Sequence, residues 1–131
     1  ARAIGLVLDE IEKPFAEVVR VYEGTPSLQD RTCATGIVSP ELVRQWAAGG
    51  HVGRASGRDF DTRRDLPYAP YAGAAFEVPA FKAGDVDARV WVRIREVEQS
   101  MKLIRAWLAD LPAGSARTSL PAEDVTGEDK A

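Results

Sequence analysis

The stretch DVDARVWVRIREVEQSMKLIRAWLADL, residues 85–111, decides the fold because its apolar residues recur with a helical period. They follow one another at steps of 4, 4, 3, 4, 3, 4 and 3: Val86, Val90, Ile94, Val97, Met101, Ile104, Leu108 and Leu111. This spacing places them on one face of a helix as a near-heptad seam. Asp85 is suited to cap the start of the helix, and Pro112 with Gly114 to end it. The stretch predicts a long amphipathic helix whose seam needs an apolar partner.

Residues 4–22 form the second amphipathic segment. Its apolar positions are Ile4, Val7, Ile11, Phe15, Val18 and Tyr22. Pro14 removes a backbone donor and crowds the preceding turn, so it predicts a kink, or two shorter helices that meet near Lys13. Gly24, Thr25 and Pro26 end the helical pattern. We expect this segment to pack antiparallel beside the long helix, with Ile11, Phe15 and Val18 against the seam.

Shorter elements are expected between the two long helices. Residues 27–38 show little periodicity, whereas Ser39 and Pro40 form an N-cap pair that predicts a short helix ending at Gly49 and Gly50. The sequence AAFEVP at 74–79 predicts a short edge strand or hairpin, because Pro79 confines a strand to a sheet edge. An ordered arginine-rich loop and this strand are expected at one end of the helix pair. The predicted fold class is therefore α+β and predominantly helical.

Composition bounds the function. The chain has 131 residues, 45% of them hydrophobic, and a net charge of -3. One compact domain over residues 1–114 is expected, with 115–131 as a flexible tail or a severed connection to a longer protein. The charge argues against nucleic acid as a partner, since such binding needs an extended positive surface. No apolar run is long enough for a membrane span.

Cys33 and His51 are the only cysteine and the only histidine. A Cys-His nucleophile pair or a metal site built on them lacks a recognisable motif. Cys33 is better interpreted as a small apolar filler, and His51 as a residue at the end of the short helix. We therefore predict no catalytic and no metal-binding residue in this chain.

The segment GRASGRDFDTRRDLPY at 53–68 is rich in charge and uses only arginine as its cation. Arginine makes planar, bidentate contacts with carboxylates. The first interpretation is a self-satisfied loop, in which its arginines pair with Asp59, Asp61 and Asp65. The second is a turn that is held in a fixed geometry by such contacts.

The order and spacing of several motifs resemble one family across residues 6–114. This family is the large subunit of energy-converting nickel-iron hydrogenases, including that of formate hydrogenlyase, together with the hydrogenase-derived subunit of NADH-quinone oxidoreductase (complex I). The likeness rests on an R-x-S-G-x-x-x-D-x-R-x-x-x-P-Y segment, a following F-x-V-P and a helix that opens with Gly-Asp. The residues that match as a structural or interface motif are Arg54, Ser56, Gly57, Asp61, Arg63, Pro67, Tyr68, Gly84, Asp85, Arg89, Arg93 and Glu96.

The resemblance implies an internal part of a respiratory-type oxidoreductase that is inactive alone and gives scaffold and subunit contacts. In such a subunit, the 53–68 segment either organises neighbouring parts of the structure or takes part in proton movement. The implied partners are an iron–sulfur small subunit and membrane subunits, with quinone and NAD handled by the whole complex. The implied location is peripheral, on the cytoplasmic side of the inner membrane. Val86, Asp87 and Ala88 depart from the complex I pattern and favour the hydrogenase branch.

The cysteine pairs that hold nickel and iron in this family are missing here, so the resemblance implies no cofactor in this chain and a nickel-iron centre only in a full-length parent. Trp91 and Trp107 lie near the edge of the seam, and self-association of the isolated chain is a further expectation. The alternative function is a freestanding helical interaction module without redox activity.

Overall fold

The structure is a computed structural model and describes residues 2–114. The expected tail at 115–131 lies outside the described residues. Six helices follow one another along the described chain: α1 (Arg2–Glu23), α2 (Pro26–Thr32), α3 (Pro40–Gln45), α4 (Gly50–Ala55), α5 (Thr62–Asp65) and α6 (Val86–Ala109). The predicted short helix ends at Gln45 and not at Gly49 and Gly50, because Ala47, with a φ of +49°, has already left the helical conformation. Apart from that end, the predicted long helix and the predicted short helix are confirmed as α6 and α3. Their caps form as expected: the Asp85 carboxylate accepts from Ala88 N, and Ser39 Oγ accepts from Leu42 N.

Helix α1 runs antiparallel beside α6. Near the end of α1, Tyr22 Oη donates to Asp87 Oδ1 at 2.7 Å, close to the start of α6. Toward the other end, Arg105 Nη2 lies 2.8 Å from Asp9 Oδ1 and bonds Glu12 as well. The predicted antiparallel helix pair is therefore present.

Helix α4 lies against another face of α6 and closes a small buried core there. Ala55 of α4 and Ala88 and Val92 of α6 are buried together, with Phe81 packed against them. The arginine-rich segment that begins in α4 meets the middle of α6 at Glu96. The prediction that this segment sits at one end of the helix pair is wrong, because Arg54 reaches past the buried Ala88 and Val92 to pair with Glu96.

The predicted strand at 74–79 is wrong, and with it the α+β class: within residues 2–114 there is no strand. A strand needs a second strand to satisfy its backbone groups, and this stretch has none beside it. The chain instead passes from a turn at 70–73 toward α6, and Phe81 N donates to the carbonyl oxygen of Arg54 at 2.8 Å. Residues 2–114 are thus a helical domain.

Two further expectations need correction. Pro14 lies inside a single continuous α1, so the division into two helices near Lys13 is wrong. The face of α1 was also misplaced: Leu8 is buried, whereas Ile11 and Val18 are exposed. Helices α2, α4 and α5 were not predicted, since four to seven residues are too few to show a period. In addition, the residues that start α2 and α4, Thr25–Pro26 and Gly49–Gly50, were interpreted as helix ends.

Candidate functional site: a buried arginine–carboxylate cluster

Four of the predicted motif residues meet where α4, α5 and α6 join, and we call them the ionic cluster: Arg54, Asp61, Arg63 and Glu96. Arg54 is the centre, with a side chain that is only 8% exposed. Its Nη2 contacts Glu96 of α6, and its Nη1 lies 3.4 Å from Asp61 Oδ2. Nη1 also donates to the Phe60 carbonyl oxygen at 3.3 Å. One guanidinium therefore joins the segment after α4 to the middle of α6.

Asp61 has a second arginine partner and a backbone role. Arg63 forms a bidentate pair with it, Nε to Oδ1 at 2.9 Å and Nη2 to Oδ2 at 2.6 Å. Asp61 also caps α5 by accepting from the Arg63 backbone N. The hydrogen bonds from Arg63 hold the pKa of the Asp61 carboxyl below its ordinary value, and the same contact raises the pKa of Arg63. Both groups are thus fixed in their charged forms at neutral pH.

Aromatic side chains cover the outer face of Arg63. Its Cζ lies 5.2 Å from the ring centre of Phe76 and 5.8 Å from that of Tyr71. At this range a guanidinium gains a cation–π attraction and loses water. Tyr71 was not among the site residues predicted from the sequence. The one feature that could have indicated it is its position three residues after the motif residue Tyr68.

A cavity of about 450 Å³ opens beside the ionic cluster. All four cluster residues line it, together with Gly49, Gly50, Phe60, Thr62 and Ser100. Arg54 Nε is buried and has no hydrogen-bond partner among the described residues. The cavity offers a place for a water molecule to hydrogen-bond polar groups of the cluster that have no protein partner.

A second junction ties the start of α6 to its surroundings, and it contains three more motif residues. Asp85 accepts from Ala34 N as well as from its own helix. Arg89 Nη1 donates to the carbonyl oxygens of Gly36 and Gly84. Gly84 has a φ of +68°, and a Cβ there would lie 2.3 Å from the carbonyl oxygen of Val38. Only glycine fits this close approach in a left-handed conformation.

The remaining motif residues are dispersed. Ser56 is buried beside Gly84, whereas Gly57, Pro67 and Tyr68 are exposed on the polar segment. Arg93 is exposed on α6 and forms no ion pair within residues 2–114. The motif therefore divides into two structural junctions, the buried Ser56 and a set of surface positions.

Both interpretations of the 53–68 segment describe part of what is seen. Arg63 and Arg64 pair within the segment, Arg64 with Asp59 and Asp65. Arg54 instead reaches α6, and Arg58 donates to the Ala48 carbonyl oxygen at 3.0 Å. Arg63 and Arg64 are thus satisfied within the segment, whereas Arg54 and Arg58 connect it to the rest of the domain.

Cys33 and His51 do not form a site. Cys33 is exposed, so its interpretation as a buried filler is wrong. His51 lies in the first turn of α4 and is exposed. Within residues 2–114 no group of three or more His, Cys, Asp or Glu side chains could hold a metal ion. A nickel-iron centre bound by two cysteine pairs does not fit a chain with one cysteine.

The fold and the ionic cluster define a helical domain with a largely buried arginine–carboxylate network. The chain belongs to the family described as "Respiratory-chain NADH dehydrogenase, 49 Kd subunit", which it matches over residues 1–130. This confirms the resemblance found in the sequence. None of the described helices is both long and apolar enough to cross a membrane.

Relatives from both branches of the resemblance are similar to this chain. An NADH-quinone oxidoreductase subunit of Clostridium beijerinckii is 37% identical over 87% of this chain and 31% of its own length. A carbon monoxide-induced hydrogenase of Rhodospirillum rubrum is 33% identical over 95% of this chain and 36% of its own. An NADH-quinone oxidoreductase subunit of Thermus thermophilus is 36% identical over 87% of this chain and 26% of its own length. The chain thus spans about a third of the length of these relatives.

Proposed function

We propose that this chain is the scaffold part of an oxidoreductase large subunit, in which the ionic cluster locks the polar 53–68 segment onto α6. The parent enzyme is an NADH-quinone oxidoreductase or a hydrogenase, as the names of the relatives indicate. The observation that carries the proposal is Arg54, buried between Asp61 and Glu96. A buried guanidinium with partners on two elements fixes their relative position, since moving either element would expose an unpaired charge.

The geometry favours a structural role over proton movement. Both carboxylates of the cluster contact arginines, and arginine does not release its proton in proteins. Asp61, held below its ordinary pKa by Arg63, is a poor proton acceptor near neutral pH. The cluster therefore has stable charges and fixed geometry, which are the properties of a scaffold.

The partners and location belong to this proposal. We place the parent in a complex with an iron–sulfur small subunit and membrane subunits, peripheral to the membrane on its cytoplasmic side. A nickel-iron centre, where the parent has one, is bound outside this chain, because four thiolates are needed and Cys33 is the single one here. The comparisons give no support to the alternative of a freestanding interaction module.

The test uses the full-length subunit in its complex, with Arg54→Met and the control Arg44→Met. Arg44 also pairs with a glutamate, Glu41, but both side chains are at least 70% exposed. We expect Arg54→Met to lower the amount of assembled subunit, while each complex that assembles keeps most of its turnover. Arg44→Met should leave both unchanged.

Two results would contradict the scaffold role. Full assembly with lost turnover in Arg54→Met would assign the cluster to the reaction itself. Equal assembly of the Arg54 and Arg44 variants would show that the cluster does not hold the subunit together.

A further inference from the structure

Helix α1 carries an apolar stripe on the side that it turns to solvent. Five of its side chains are between 43% and 65% exposed, and a proline in the same row is exposed as well. The stripe consists of Ile4, Val7, Ile11, Pro14, Val18 and Val21. It covers most of the length of α1. Exposed apolar rows of this size mark interaction sites in soluble proteins.

The spacing of the stripe identifies what kind of surface it fits. Its members are separated by 3, 4, 3, 4 and 3 residues, which is the strict a/d pattern of helix–helix pairing. The stripe is distinct from the face that meets α6, which carries Leu8 and Tyr22. Helix α1 therefore has one face for α6 and a second, narrower seam for another helix.

The charges beside the stripe restrict the partner further. Glu10 and Glu17 occupy the heptad positions just before Ile11 and Val18, on the flank away from α6. Glu17 contacts Arg20 on its own helix. Glu10 is exposed and forms no ion pair within residues 2–114. Positions that flank an apolar seam set partner choice by their charge, so this flank favours cations on the facing helix.

A second copy of the chain does not supply those cations. Paired antiparallel in the register that matches the stripe, two copies bring Glu10 of each beside Glu17 of the other. Paired parallel and in register, they bring Glu10 beside Phe15 and Glu17 beside Tyr22. The first arrangement repels, and the second removes water from carboxylates without a compensating charge.

We infer that the stripe on α1 is the docking seam for an amphipathic helix with an apolar 3–4 repeat and lysine or arginine at the flanking positions. The other segments of a family subunit can supply this helix, since this chain spans about a third of the length of its relatives. This seam is separate from the ionic cluster, so a failure here leaves the scaffold role of Arg54 standing.

The probe is a synthetic helical peptide about three heptads long, with leucine at the a and d positions and lysine at the e and g positions. A matched peptide carries glutamate at e and g. Each is labelled with a fluorophore, and its dissociation constant for the 131-residue chain is measured by anisotropy. We expect the lysine peptide to bind at least about tenfold more tightly than the glutamate peptide.

Two variants locate the binding. Val18→Asp places a charge in the stripe and should weaken the lysine peptide at least about tenfold. Leu6→Asp is the matched control, because Leu6 is comparably exposed but lies outside the stripe, and it should leave binding unchanged. Circular dichroism of both variants checks that each remains folded.

Three results would overturn the inference. Equal affinity for the two peptides would remove the role of the acidic flank. Equal effects of Val18→Asp and Leu6→Asp would remove the role of the stripe. A dimer of the chain that Val18→Asp dissociates and Leu6→Asp retains would assign the seam to a second copy.

Discussion

Replacing Arg54 by methionine is the most informative single change to the domain. Methionine keeps a flexible apolar stem of similar reach and removes the guanidinium, so the effect reports the charge more than the packing. The change leaves Glu96 without its arginine and the Phe60 carbonyl oxygen without a donor. Asp61 keeps its bidentate partner Arg63.

The structure gives the size of the effect. Removing one partner of a fully buried ion pair costs about 3 to 5 kcal/mol. Here the cost is smaller, because Glu96 is 23% exposed and Asp61 stays paired, so we expect about 2 to 3 kcal/mol. For a chain of this length each kcal/mol corresponds to roughly 3 to 5 °C, which gives a fall in Tm of about 6 to 15 °C.

Urea denaturation of the 131-residue chain, followed by circular dichroism, measures this loss directly. The control Arg44→Met removes an exposed ion pair and should cost less than about 0.5 kcal/mol. If Arg54→Met unfolds at the same urea concentration as Arg44→Met, the ionic cluster does not stabilise the domain.

Three other changes test separate parts of the structure. Because Arg63 lowers the folded-state pKa of the Asp61 carboxyl, the stability that Asp61 contributes is full above its unfolded value of about 3.9 and is lost as the pH falls through the folded value. The difference in unfolding free energy between the unaltered chain and Asp61→Asn should therefore be constant near neutral pH and shrink below about pH 4; a difference that grows on acidification would reverse the assigned cause. Ile94→Ala opens a cavity beneath α6 and should lower the unfolding free energy by about 2 to 5 kcal/mol. The control Arg95→Ala, on the exposed side of α6, should change the Tm little. Equal Tm values for the two variants would refute the burial of Ile94. Gly84→Ala should destabilise the domain more than Gly73→Ala. Both glycines have a positive φ, but of the two positions only 84 would place an added Cβ against a main-chain oxygen. Equal urea midpoints for the two variants would show that this close approach is absent.

Periodicity predicted the long elements because each contains several turns. The extent of α6, its Asp85 cap and its end before Pro112 all follow from local chemistry. The predicted seam is only partly correct, because Ile94 is its one buried member among the described residues and Val97 is exposed. The buried core along α6 did not follow, because α6 is covered on more than one face. Ala88 and Val92 lie outside the predicted seam, and they are buried against Ala55 of α4 and Phe81.

The errors have the same origin in tertiary contacts. The stretch 74–79 has the composition of a strand, but a strand forms only beside another one. Helix α4 begins at Gly50, directly after Gly49, and a glycine pair in a sequence normally indicates the end of a helix. In α1 both faces are apolar, so the sequence could not indicate which of them α6 would choose.

Within the candidate site, the sequence indicated that Arg54, Asp61 and Arg63 belong together because they lie within ten positions of one another. Glu96 entered only through the resemblance to a family, since no local pattern relates it to Arg54, 42 positions earlier in the chain. The cover of Arg63 by Tyr71 and Phe76 depends on the turn that leads toward α6, which no periodicity encodes.

A double-mutant cycle between Arg54 and Glu96 tests the central claim most directly. The unfolding free energies of Arg54→Met, Glu96→Gln and the double variant are compared with that of the unaltered chain. Because the charge on Glu96 is costly only when Arg54 is absent, we predict a coupling energy of about 1 to 3 kcal/mol, with the double variant more stable than the sum of the two single losses implies. Additive losses would show that these two side chains do not hold α4 against α6.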